Sequence, residues 1–339
     1  MTAFGWLMLG NPQNGVINQL ARDLFGIQGP VINLYGWGGL IFHASLNTVS
    51  FMFLMLVGFF KQMDASYEEA AITLGASKLK VMRTITFPML MPAVLSISLL
   101  VFIHGLESFE NPLLFGNPGG VYVFANEIYR MLSYRHPPEY GAATALSVIL
   151  IAVTFALLVL QWRKLGGRQF TVVTGKGYRP TRYPLGRWRG PALLFVGFYL
   201  AVGAILPAVV LVWTSFSGGS NESLNLDAYR ALFADRRFWP AVGNTFLVAG
   251  LSAGLITLVG ALLAWQILRL RFHGRALLDV VSFMSIGIPS VIAGFAVMVL
   301  HLTIPIGLYG TVWILILAYS YRLAVSTRLS RASLMQIHA

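Results

Sequence analysis

Cysteine is absent from the 339 residues. That excludes disulfide staples, Cys-ligated zinc and thiol nucleophiles. Acidic residues are scarce, with 12 Asp and Glu against 24 Lys and Arg. No Gly-x-x-x-x-Gly-Lys-[Ser/Thr] run occurs; Thr174-Gly175-Lys176-Gly177 is the nearest fragment, and it lacks the first Gly and the following hydroxyl residue. The chain therefore has no phosphate loop of its own. The six histidines never fall in a His-Glu-x-x-His spacing, so neither a metal site nor any other cofactor is expected. No candidate catalytic residue emerges, and the chain does not read as an enzyme.

What is present is apolar. Hydrophobic residues make up 57% of the chain and charged ones only 11%, a balance that belongs in a lipid bilayer. Apolar runs near the 20 or so residues needed to span one occur at 38–60, 88–106, 142–162, 192–214, 242–267, 277–300 and 309–327. The expected fold is an all-α membrane protein of about seven transmembrane helices.

Lys and Arg cluster in 61–87, in 269–275 and above all in 163–190, which has no Asp or Glu. Seven spans place these three regions on one side, the cytoplasm. The other side receives 1–37, 107–141, 215–241 and 301–308. The net charge of +12 then reflects contact with anionic lipid head groups and needs no nucleic acid.

Between the first two spans, Ser66 and Glu69 stand at capping-box spacing, so a helix is expected to start there. Ala70, Ala71, Leu74 and Gly75 then share one face. Three of these are small, which lets another protein approach the backbone. Gly75 in a helix interior would cost about 1 kcal/mol against Ala, so close approach or a bend should compensate. Lys78, Lys80 and Arg83 follow, and Pro88 and Pro92 open the next apolar run.

These residues carry a resemblance. The EAA loop of ABC importer permeases reads Glu-Ala-Ala, three residues, Gly, nine residues, Ile, one residue, Leu-Pro. Glu69, Ala70, Ala71, Gly75, Ile85 and Pro88 fall at those offsets, with Phe87 in place of Leu. The segment 66–92 thus closely resembles that loop. The resemblance implies a type I ABC importer permease fold in a bacterial inner membrane. It also implies a short helix, with Glu69, Ala70, Ala71, Leu74 and Gly75, that docks on a separate cytoplasmic ATPase. A periplasmic solute-binding protein would deliver the solute.

An internal repeat is expected as well. Aligning Gln336 with Gln62 sets Ala339 opposite Ala65 and Gly310 opposite Gly36. The chain then reads as parts of two tandem modules, truncated at both ends: 1–165 with the EAA loop, a basic linker 166–190, and 191–339 stopping before a second loop. Such fusion resembles the ferric-iron permeases. Thr174–Pro180, Leu185–Trp188 and Leu106-Glu107-Ser108-Phe109-Glu110-Asn111-Pro112 look like that subfamily too. Iron is the favoured cargo; thiamine, polyamine, phosphonate and sulfate permeases share the loop.

His104, Glu107 and Glu110, near the outer end of the second span, are candidates for the solute pathway, where an acidic pair could attract a cation. His43 is a second intramembrane histidine. Gly250 and Gly254 suggest close helix packing, and Asn47-Thr48 and Asn244-Thr245 suggest interhelical hydrogen bonds. Val16–Phe25 fits a short amphipathic helix on the outer surface. A secondary transporter is the rival class, but it calls for carboxylates at span centres, and none occurs; Asp279 sits at a span end. An intramembrane enzyme would need a nucleophile and base on neighbouring spans, for which there is no motif.

Overall fold

A computed structural model describes residues 1–64, 66–165, 185–217, 224–269, 274, 289–304 and 307–320. Within the helices, the side chains at 61, 62, 161, 162, 164, 165, 268, 269 and 320 are not described. The described elements are helical: α1 (Thr2–Gly10), α2 (Val16–Phe25), α3 (Trp37–Gln62), α4 (Ser66–Thr73), α5 (Lys78–Val81), α6 (Phe87–Leu106), α7 (Phe124–Ser133), α8 (Tyr140–Leu165), α9 (Arg189–Leu200), α10 (Leu206–Ser217), α11 (Asp227–Ala234), α12 (Phe238–Arg269), α13 (Ser290–Thr303) and α14 (Val312–Ser320). Wider π-helical turns at Met82–Thr86 and Ala201–Ile205 join α5 to α6 and α9 to α10.

Five of the resulting helices are long and apolar enough to cross a membrane: Trp37–Phe60, Lys78–Leu106, Tyr140–Leu160, Gly186–Ser217 and Phe238–Ile267. The expected spans at 277–300 and 309–327 are represented by α13 and α14; residues 277–288 and 321–327 lie outside the described residues. So do most of the 166–190 linker, most of the 269–275 turn, and the 325–339 end used for the repeat alignment. Apolar side chains cover the outside of the spans. Phe53 and Leu54 on α3 and Phe246 on α12 are each about two-thirds exposed or more. In water such surfaces would drive association; in hydrocarbon they meet a matching solvent.

The chain divides into two compact units, Met1–Val123 with Leu157–Thr214, and Phe124–Ala156 with Ser215–Ala339. In the first, Trp6, Leu9, Leu34, Leu40, Phe115 and Val210 form the buried core. The Trp6 and Phe42 rings meet edge to face at 4.7 Å. Gly5 is required there, because a Cβ would lie 2.5 Å from the Pro207 carbonyl oxygen. Helix α2 forms over the expected residues. Its buried member is polar: Asn18 donates to the carbonyls of Asn11 (2.9 Å) and Ile32 (2.7 Å) and accepts from Ile32 N (2.9 Å). Fully satisfied, Asn18 pins the helix at little desolvation cost, while Leu20, Leu24 and Phe25 stay exposed.

In the second unit α12 packs on α14, and α13 packs on both α14 and α7. Tyr140 and Phe295 stack at 6.4 Å. Two expectations change here. Around Gly250 and Gly254 an added Cβ would meet no neighbouring atom within 4 Å, so no described helix packs on this glycine pair. Thr245 Oγ1 bonds back to Ala241 O at 2.8 Å, a hydroxyl satisfied within its own helix.

Candidate functional site

The segment between the first two spans folds as helix, tight turn, helix. Asp64 starts it, its carboxylate accepting from Ser66 N at 2.9 Å. This backbone bond holds the exposed Asp64 carboxyl below the usual carboxylate range. The bond closes the turn that leads into α4, which starts at Ser66 as expected.

Helix α4 runs only to Thr73. Gly75 N bonds Ile72 O at 2.9 Å and Ala76 N bonds Ala71 O at 3.0 Å, the paired closure of a Schellman motif. Gly75 itself is left-handed, with φ +86. This corrects the placement of Gly75 in a helix interior: it terminates α4, and the glycine is needed for its backbone, since a side chain there would meet open space. Ser77 then caps α5, accepting from Lys80 N at 3.4 Å, and the chain enters the span through the π-turn and Pro88.

The surface this presents is exposed. Glu69, Ala70 and Gly75 are open to solvent and Ala71 is half-buried. Leu74 is 88% exposed, a level that an apolar side chain seldom reaches without a partner. Tyr67 and Leu79 are also more than half exposed. Beneath them the Glu68 carboxylate accepts a hydrogen bond from Thr86 Oγ1 in the π-turn. Glu68 and Thr86 escaped the sequence reading, because the spacing pointed to Glu69, one residue on.

The pathway candidates sit at the far end of the same span. His104 is exposed on the last turn of α6, Glu107 is half-buried just past it, and Glu110 is exposed. Among the described residues no group of three His, Asp or Glu side chains forms a metal cluster.

The neighbouring Asn111 reaches His43, with Asn111 Oδ1 2.8 Å from His43 Nδ1. His43 is 2% exposed, stacks on Phe115 at 4.9 Å and lies 3.3 Å from Thr2 Oγ1 through Nε2. Asn47 bonds the His43 carbonyl at 3.3 Å, within its helix and not between helices as expected. One turn further, Tyr199 donates to Leu46 O at 2.6 Å and meets Ser50 Oγ at 2.7 Å. A cavity of about 80 Å³ opens among Thr2, His43, Asn47, Ser50, Tyr199 and Gly203. Tyr199 is remote in sequence, and no local signal pairs it with α3.

Residues 19–165 match the family described as binding-protein-dependent transport system inner membrane component. That match covers a little under half of the chain. The chain is 28% identical over 337 residues to the ferric transport system permease protein FbpB of Actinobacillus pleuropneumoniae, covering 98% of this chain and 48% of that one. A putative ferric transport system permease protein, FbpB 1 of Haemophilus influenzae, is 29% identical over 98% of this chain and 52% of its own. The molybdenum transport system permease protein ModB of Escherichia coli is 26% identical over 46% of this chain and 67% of its own. The chain spans about half the length of the ferric permeases it matches. No solved structure matches it. The exposed helix–turn–helix lies inside the matched residues and bears the EAA pattern, and the five long apolar helices are those of a membrane protein.

Proposed function

We propose that this chain is a membrane permease subunit, or part of one, of an ATP-driven importer of ferric iron. Its membrane spans would alternate between outward and inward access, and it would perform no covalent chemistry. The observation that carries the cargo is coverage: similarity to ferric permeases runs along 98% of the chain, whereas similarity to the molybdenum permease stops at 46%.

The proposed machinery is the surface of Glu69, Ala70, Ala71, Leu74 and Gly75. It docks on cytoplasmic ATPase subunits, with Leu74 as the apolar anchor. A periplasmic solute-binding protein delivers iron to the opposite face, where His104, Glu107 and Glu110 border the pathway. Residues 1–165 and 191–339 act as parts of two permease modules joined by 166–190.

The test pairs uptake with ATP hydrolysis in membrane vesicles holding the whole transporter. Leu74→Asp is expected to abolish stimulation of the ATPase by loaded binding protein while insertion into the membrane stays normal. Unchanged stimulation would refute docking at this surface. Uptake of molybdate or sulfate in place of ferric iron would refute the cargo alone.

A further inference from the structure

Among the described arginines in the segments that the Lys and Arg bias assigns to the outer side, all but one adjacent pair are spoken for. Arg22 donates to backbone carbonyls of Asn18 and Gln13. Arg130 pairs with Glu127, Arg135 with Glu139, and Arg230 with Asp227. The exception is the adjacent pair Arg236 and Arg237. Both are exposed, and neither guanidinium has a hydrogen-bonding or ionic partner among the described residues. The nearest carboxylate in sequence, Asp235, is turned to the backbone and accepts from Arg237 N at 2.8 Å.

The pair stands beside an aromatic platform. Phe233 stacks on Trp239 at 6.0 Å, Phe238 meets Phe233 at 5.4 Å and Trp239 at 5.1 Å. Phe233 is 52% and Trp239 62% exposed. Phe238 is also the first residue of a membrane-crossing helix. The rings therefore sit where a span meets water, the depth favoured by amphipathic aromatics. Cations on this side run against the usual bias of Lys and Arg toward the cytoplasm, so their placement calls for a partner.

We propose that Arg236 and Arg237 bind the phosphate of an anionic phospholipid in the outer leaflet, while Phe233 and Trp239 hold its glycerol and upper acyl region. Guanidinium suits a phosphate because it donates in a planar fork. Continuity with the span selects a lipid as the occupant. The site is independent of which solute the permease carries.

The test is native mass spectrometry of the purified whole chain titrated with phosphatidylglycerol, with phosphatidylcholine for comparison. Arg236→Gln/Arg237→Gln is expected to weaken phosphatidylglycerol binding about thirtyfold, from the usual gain per basic residue at an anionic surface. The double Lys variant should retain most of it. Arg230→Gln, which removes a charge already paired with Asp227, should change nothing. Circular dichroism showing unchanged helix content separates lost binding from lost fold. Unchanged binding in the double Gln variant would overturn the proposal and favour an acidic protein surface as the partner. Equal loss in Arg230→Gln would overturn it in favour of diffuse net charge.

Discussion

Thr86 donates its hydroxyl hydrogen bond to the carboxylate of Glu68, joining α4 to the π-turn at the foot of the following span. The bond is charge-assisted but only half-buried, so about 1 kcal/mol is a fair discount on the usual value. Thr86→Val should raise amide hydrogen exchange in 66–73 about fivefold and lower uptake, with membrane insertion unchanged. Exchange rates equal to wild type would show that Glu68 and Thr86 bear no load.

Gly75 should tolerate substitution according to backbone preference, because open space surrounds it. At φ +86 an alanine pays about 1–2 kcal/mol for the left-handed backbone. Asn pays less, and a β-branched residue pays more. Uptake should therefore rank Gly75, then Asn, then Ala, then Val. A ranking by side-chain size alone, with Ala ahead of Asn, would mean that a docked partner and not the turn selects glycine.

The helices were legible because lipid imposes long apolar runs, and the likeness of 66–92 to the EAA loop was legible because its spacing extends over some twenty residues. The state of Gly75 was not, for a physical reason. Spacing from Ala71 to Gly75 fits one face of a continuing helix as well as it fits a helix end. The discriminating signal lay just beyond, in Ala76 followed by the capping Ser77, a stop-and-restart pattern. His43 was visible as an intramembrane histidine, yet Asn111 and Tyr199, which complete its surroundings, come from segments remote in sequence. Such pairings depend on tertiary packing and leave no periodic trace.

Acid should loosen the start of α4. The folded carboxyl of Asp64 is held below its ordinary value by the Ser66 N–H, so protons bind the unfolded segment more readily than the folded one. The contribution is present above the unfolded value, about 3.9, and is lost as pH falls through the lowered folded value. Protection of the Ser66 amide, corrected for intrinsic exchange, should drop across that interval. Asp64→Asn keeps an acceptor without a titrating group and should flatten the profile. A wild-type profile that is already flat would remove Asp64 from the role.

Tyr199 tests the polar seam inside the first unit. Its single hydroxyl proton goes to the Leu46 carbonyl at 2.6 Å, so Ser50, at 2.7 Å, must donate to the phenol oxygen. Ser50 has a fallback, because Leu46 O also lies 3.2 Å from its Oγ. Tyr199→Phe removes the donor to Leu46 and strands nothing charged, so the cost should be about 1 kcal/mol, typical of a hydrogen bond between helices in lipid. Ser50→Ala should cost less, since the tyrosine keeps its carbonyl acceptor. Because both side chains compete for one carbonyl, the double variant should depart from the sum of the singles. Unfolding in mixed micelles reads all three. Strict additivity would mean that Ser50 and Tyr199 act separately, and that the bond between them does not hold α9 to α3.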